Sequence, residues 1–333
     1  MDPPRKLVDQ VGCWLRLYDD CSVDRTWTGP PNFKLLTEPV PPHPEFLDGV
    51  ATQDVVIDSV SGQRVRIYLR ETKSHDKLPI LLHFHGGGFC ISQADWFMYH
   101  QFYSRLTGTA RVICVSVYLR LAPENRLPAA IDDAFSGLIW LQSVAKREKN
   151  PPECLVSADF NRIFLIGDST GGNLVHEVAV RAGKHDLTPL RVAGGIEVHP
   201  GFVRSRRSKS ELENPQSPIL SLDMIDKMLI LGLPVGSNKD HPITCPMGEA
   251  APSLKDVEVP PLLVCLAEKD LMVDTEMEYC EAMKKAKKEV EVFVSKDMGH
   301  AFYLNSVAVE TDADTAEQTE CLIGKIKEFI DSH

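Results

Sequence analysis

The chain runs to 333 residues, 43% of them hydrophobic, enough apolar material to bury a sizeable core as one domain spanning residues 1–333. A net charge of −11 argues against nucleic acid or an anionic membrane surface as a partner. No apolar run approaches transmembrane length, the opening Met-Asp-Pro-Pro-Arg-Lys lacks a signal-peptide core, and the nine cysteines show neither C-x-x-C nor metal-ligand spacing, so the chain reads as cytoplasmic with reduced thiols.

Residues 1–45 are rich in Trp, Pro and Tyr and follow no strand rhythm; Trp14, Leu17 and Tyr18 fall at helical spacing and read as a packing face. Strands at about 54–58 and 64–69, separated by Val60-Ser61-Gly62-Gln63, predict an antiparallel hairpin at a sheet edge. A third strand, 79–84, leads into His85-Gly86-Gly87-Gly88-Phe89. Three adjacent glycines open backbone conformations that turn peptide N–H groups toward one point, as stabilising a developing oxyanion requires. A phosphate cradle ranks lower, because neither a P-loop lysine nor G-x-G-x-x-G spacing accompanies them.

A helix near 97–108, a strand at 112–117 and a helix over 129–147 follow. Then the apolar run 162–166 enters Gly167-Asp168-Ser169-Thr170-Gly171, and an apolar helix begins at about 171 and ends near 183. Strand, tight turn and helix in that order make Ser169 a candidate nucleophile on an elbow whose glycines leave room for it. After a strand at 192–198 the rhythm breaks. Residues 203–245 carry Arg204, Arg206, Arg207 and Lys209, read as a solvated loop, and an apolar helical face of Met224, Ile225, Met228 and Leu229, read as packing first and substrate contact second. Together with residues 1–45 this stretch is expected to form a cap over the C-terminal edge of the sheet.

The strand at 261–267 ends in Glu268-Lys269-Asp270, with Asp274 four residues on, before a helix over 275–288. Asp270 leaves the strand end directly, whereas Asp274 is explained as that helix's N-cap, so Asp270 is the better partner for a histidine and Glu268 a third choice. The last strand, 290–294, precedes Met298-Gly299-His300, and a helix over 315–331 closes the chain. Serine, acid and histidine thus occur in the order that a strand–elbow–helix fold uses. Phe89, Trp96, Phe302 and Tyr303 follow these loops and are the expected pocket walls. Eight strands alternating with helices predict an α/β fold with a mostly parallel sheet covered on both faces.

His85-Gly86-Gly87-Gly88, Gly167-Asp168-Ser169-Thr170-Gly171, the Asp270/Asp274 pair and Gly299-His300 together resemble plant carboxylesterases of the hormone-sensitive-lipase branch of the α/β-hydrolases. They are most similar in wording to the hypersensitivity-related plant esterases. The segment Arg120-Leu121-Ala122-Pro123-Glu124 to Ala130 is a further signature, and the resemblance runs over nearly the whole chain, with Leu119 standing where many relatives carry Tyr. It implies an α/β-hydrolase fold with a helical cap, oxyanion donors at Gly87, Gly88 and Thr170, and an acid-to-histidine interval that agrees with Asp270.

The expectation is therefore a serine carboxylesterase for a small or medium ester, working without metal or cofactor through Ser169, His300 and Asp270. Two alternatives accompany it. In a specialised-metabolism enzyme of the same fold, hydrolysis triggers decarboxylation or the site promotes elimination or cyclisation. A gibberellin-receptor-like protein is the other, although such receptors lose the histidine that His300 retains here.

Overall fold

The computed structural model describes residues 5–71, 77–148 and 152–333. Its first element corrects the helical reading of the N-terminus. β1 (Leu7–Val11), β2 (Leu15–Tyr18) and β3 (Val23–Asp24) form a small antiparallel sheet. The chain reverses at Gly12, whose φ of +49° favours glycine, and Trp14 N–H closes the turn on Val11 O at 3.0 Å. Arg16 and Asp24 then face each other across β2 and β3 and pair at 2.7 Å, a contact that a helix over 14–18 would not make.

The main sheet contains the eight anticipated strands: β4 (Val50–Asp58), β5 (Gln63–Arg70), β6 (Leu78–Phe84), β7 (Ile113–Val117), β8 (Ala158–Asp168), β9 (Val192–Val198), β10 (Leu262–Ala267) and β11 (Val290–Ser295). Their order is β11-β10-β9-β8-β6-β7-β5-β4. β4 and β5 form the antiparallel hairpin at one edge, β5 joins β7 antiparallel, and the remaining pairs are parallel. Every residue of β6, β7 and β10 is buried, which explains their continuous apolar runs.

Alternation along β6 serves two cores at once. Ile80, Leu82 and Phe84 join one apolar cluster with helices α2 (Ala129–Ala145) and α3 (Thr170–Ala182), while Leu81 joins the other with α1 (Phe97–Ala110) and the C-terminal helix. Between α3 and that last helix come α4 (Lys209–Glu213), α5 (Leu222–Gly232), α6 (Val273–Lys285) and α7 (Ser306–Thr311), and α8 (Ala313–Ser332) ends the chain. Ser208 and Glu211 cap α4 reciprocally, and Ser221 caps α5.

The two segments outside the sheet rhythm meet each other. Val11 and Leu15 pack with Met224 and Met228 of α5, and Lys227 donates to Gln10 O at 3.1 Å. Arg25 ties the N-terminal segment down, donating to Cys90 O at 2.6 Å, to Ala122 O at 2.8 Å and to the Glu124 carboxylate. The basic stretch at 204–209 is engaged in ion pairs: Arg204 with Glu278, Arg207 with Glu211 and Asp226, Lys209 with Glu213. Among the described residues no helix is long and apolar enough to cross a membrane.

Candidate active site

Ser169 sits at the corner between β8 and α3 with φ 51° and ψ −126°. A non-glycine residue holds such a left-handed backbone at a cost of about 1–3 kcal/mol, so its surroundings must enforce it. Its N–H donates to Val198 O at 3.0 Å, and its carbonyl accepts the N–H groups of Gly172 and Gly201 at 2.8 and 2.9 Å. The flanking glycines are required by close approach. A Cβ on Gly167 would lie 2.3 Å from Gly171 O, and one on Gly171 would lie 2.0 Å from Phe84 O.

The glycine loop leaves the C-terminal end of β6 beside this corner. Gly87 and Gly88 have φ of +100° and +61°, and Phe89 N–H donates to Thr170 Oγ1 at 3.3 Å, pinning loop to elbow. The backbone N–H groups of Gly87, Gly88 and Thr170 donate to no acceptor among the described residues. Gly87 and Gly88 line one cavity of about 100 Å³ with Ser169 and His300. Thr170 borders a smaller hollow of about 30 Å³ with Ser169 and Gly88. The three predicted donors therefore gather around the serine.

His300 lies on the turn after β11. Its Nδ1 meets Asp270 Oδ2 at 2.5 Å, and Asp270, at the end of β10 and wholly buried, also accepts Met272 N–H on Oδ1 at 3.0 Å. Burial lowers the pKa of His300, but the charge and hydrogen bond of Asp270 outweigh it and raise the net value above the ordinary 6.5. Burial raises the pKa of Asp270, yet the charge and hydrogen bond of His300 bring it below the usual carboxylate range. Glu276, also buried, is held well above that range by burial and by Asp270's charge, so Asp270 is the carboxylate that stays ionised.

The other acids fall elsewhere. Asp274 is inside the first turn of α6, not its N-cap, and its Oδ2 accepts Ser210 N–H at 2.8 Å. The helix starts at Val273 because the chain after β10 turns on Asp270 itself, whose Oδ1 takes the Met272 N–H. Glu268 is exposed and accepts Asp297 N–H at 2.9 Å.

The four expected pocket walls are displaced by their neighbours. None of Phe89, Trp96, Phe302 and Tyr303 lines the cavity at Ser169, whose apolar lining includes Trp14, Leu36, Ile91, Met98, Met228 and Leu304. Phe89 points into the core beneath, and Trp96 stacks behind Trp14 with ring centroids 6.3 Å apart. Phe302 and Tyr303 pack on His199, each at 5.7 Å. Met228 does reach the cavity, so the apolar face of α5 packs and lines it at once. A larger hollow of about 590 Å³ between the β4 edge and α1 holds none of the site residues.

Asp168, Tyr99, His83 and His199 are buried groups near the site that no motif announces. Asp168, the variable residue of the elbow, accepts the Tyr99 hydroxyl at 3.2 Å and lies 3.5 Å from His83 Nε2. His199, Asp270 and His300 bring one potential ligand atom each within 4.8 Å, the one such grouping among the described residues. Hydrogen bonds engage Nδ1 of both histidines and both oxygens of Asp270.

Comparison with known proteins bears on the fold and the family. An α/β-hydrolase fold model matches residues 81–304. The chain is 36% identical to probable carboxylesterase 6 of Arabidopsis thaliana over 303 residues, 90% of this chain and 85% of that one. It is 32% identical to 2-hydroxyisoflavanone dehydratase of Glycyrrhiza echinata over 328 residues, 95% and 94% of the two chains. A hyperthermophilic esterase of the archaeon Pyrobaculum calidifontis superposes with a TM-score of 0.68 at 23% identity, covering 84% of this chain and 85% of that one.

Proposed function

Because the chain belongs to the α/β-hydrolase family, as a carboxylesterase-type member and carboxylic ester hydrolase, we propose that it is a serine carboxylesterase acting on a small or medium ester. Ser169 Oγ attacks the ester carbonyl while His300 Nε2 takes its proton. Asp270 holds the imidazole in the tautomer that leaves Nε2 free to accept, and stabilises the imidazolium that forms. The N–H groups of Gly87, Gly88 and Thr170 receive the oxyanion, each worth on the order of 3 kcal/mol of barrier. The leaving alcohol departs with the proton from His300, and water hydrolyses the acyl-enzyme by the same steps in reverse roles.

The observation that carries this reading is the 2.5 Å contact between His300 Nδ1 and buried Asp270, on a cavity that His300 shares with Ser169. The segments 1–45 and 203–245 serve as the cap, contributing Trp14, Leu36 and Met228 to that cavity. Nine unpaired cysteines fit a reducing, cytoplasmic setting. Similarity to a dehydratase over 95% of the chain supports a second reading, in which the same base removes a carbon-bound proton in an elimination. The receptor reading is not favoured, since His300 is present and engaged. The test is turnover of 4-nitrophenyl acetate. Wild type hydrolyses it and Ser169→Ala does not, whereas equal rates in the two proteins would overturn the proposal.

A further inference from the structure

His199 directly follows β9 and is fully buried, with a φ of +45° that a side chain other than Asn, Asp or Gly adopts at a cost. Its own N–H donates to Cys265 O in β10 at 2.7 Å, so the strand ladder fixes the ring's origin. The ring reaches across to the turn that carries His300. Ala301 N–H, one residue beyond His300, donates to His199 Nδ1 at 2.9 Å. Ala301 is itself left-handed, at φ +52°, and sits in the turn that carries His300 into the cavity. An N–H cannot donate to a protonated nitrogen, so Nδ1 is bare and the imidazole carries its proton on Nε2. Burial pushes the pKa of His199 down to about 3, which keeps the ring neutral, with Asp270 raising it and His300 lowering it in smaller measure. The centroids of His199 and His300 are 5.9 Å apart.

We propose that His199 is a positioning residue for the reaction: its Nδ1 tethers the strained turn at Ala301 and so holds the His300 imidazole against Asp270 on one side and toward Ser169 on the other. The proposal rests on the serine-esterase reading. It assigns His199 no contact with substrate. The mechanical logic is that a left-handed Ala301 would relax without an acceptor for its N–H, and His300 would swing with it. A 1 Å displacement of a reacting group costs about a hundredfold in rate.

Two substitutions separate the tether from mere packing. Asn and Gly both accept a φ near +45°, so neither strains the backbone. In His199→Asn the amide oxygen can stand where Nδ1 stood and still take the Ala301 N–H. In His199→Gly the acceptor is gone. With 4-nitrophenyl acetate, we expect His199→Asn to keep kcat within about threefold and His199→Gly to lose kcat about tenfold to a hundredfold at little-changed KM.

The acid limb of kcat/KM is the second readout. The charged and titratable groups around His300 are Asp270 at the end of β10, Asp168 at the end of β8 and His199 directly after β9. When the turn slackens in His199→Gly, His300 loses part of its contact with Asp270 and the limb moves to lower pH; in His199→Asn it stays. His199→Phe, which keeps ring volume without an acceptor, is expected to follow Gly and guards against an effect of the cavity alone. Should the acceptor-free variants not fold, the Asn variant decides: a tenfold loss or a moved limb in a folded His199→Asn protein overturns the proposal. Equal kcat in the Asn and Gly variants overturns it as well. Failure of the underlying reading looks different, since wild type itself would then be inert toward the ester.

Discussion

Asp270→Asn exchanges one oxygen of a buried carboxylate for an amide nitrogen, and the two hydrogen bonds of Asp270 set the consequence for catalysis. Oδ1 accepts Met272 N–H at 3.0 Å and Oδ2 meets His300 Nδ1 at 2.5 Å. An amide has one oxygen. Keeping it on Met272 N–H turns the NH2 group toward His300, whose Nδ1 must then accept. The ring proton moves to Nε2, the nitrogen that has to receive the proton of Ser169. The opposite orientation sets the amide NH2 against Met272 N–H inside a wholly buried site. The wrong tautomer removes the general base, so kcat is expected to fall about a thousandfold, about 4 kcal/mol of barrier at roughly 1.36 kcal/mol per tenfold. KM should change little, because Asp270 is buried beneath His300 and absent from the cavity lining. Steady-state hydrolysis of an aryl acetate measures both constants. Asp274→Asn is the control: its Oδ2 accepts Ser210 N–H at 2.8 Å, a bond an amide oxygen also makes, and most of the activity should survive. Retention of a tenth of kcat in Asp270→Asn, or greater damage from Asp274→Asn, would refute this assignment.

Three other outcomes are expected. Since His300 must be neutral to accept a proton and its pKa is raised by Asp270 against the opposing effect of burial, kcat/KM should fall as pH drops through a midpoint above 6.5; a midpoint below 6.5 in wild type contradicts the coupling. Gly88→Ala should reduce kcat about a hundredfold or more in the same assay, because a Cβ there would lie 2.3 Å from Met228 Sδ at a φ of +61° and would push the loop away from the oxyanion. Trp14→Ala, or deletion of residues 1–25, should lower kcat/KM for bulky apolar esters much more than for an aryl acetate, since Trp14 lines the cavity while the small ester needs only the serine, histidine and N–H donors; equal losses in proteins that melt cooperatively would make the segment structural support.

Much of this architecture was legible in the sequence because it rests on short-range rules. Apolar runs too continuous for a half-exposed strand marked the parallel sheet, and glycines packed against a serine marked the elbow, where the backbone leaves no space for a Cβ. The rest depended on contacts between distant segments. Trp14, Leu17 and Tyr18 matched a helical period, yet the turn at Gly12 and the cross-strand pair of Arg16 with Asp24 set the segment as strands; Gly12 was the overlooked signal. Asp274 reads as a cap only if its helix starts at 275; the helix starts at Val273, with Met272 as its N-cap. The pocket walls were misplaced for a geometric reason. Residues just beyond a loop at a strand's end fold back under it, as Phe89 does, while Ile91, Met98 and Leu304 a little further along the chain face the cavity. His199 carried no local signal at all, since its partner Ala301 lies 102 residues away.

Ser169 as the nucleophile and His300 as its base are tested most directly by peptide mapping after reaction with a fluorophosphonate, in wild type and in His300→Ala. The expected result is a single adduct on Ser169 in wild type and labelling slowed at least a hundredfold without the histidine. An adduct on any other residue, or equally fast labelling of Ser169 in the two proteins, would contradict both assignments.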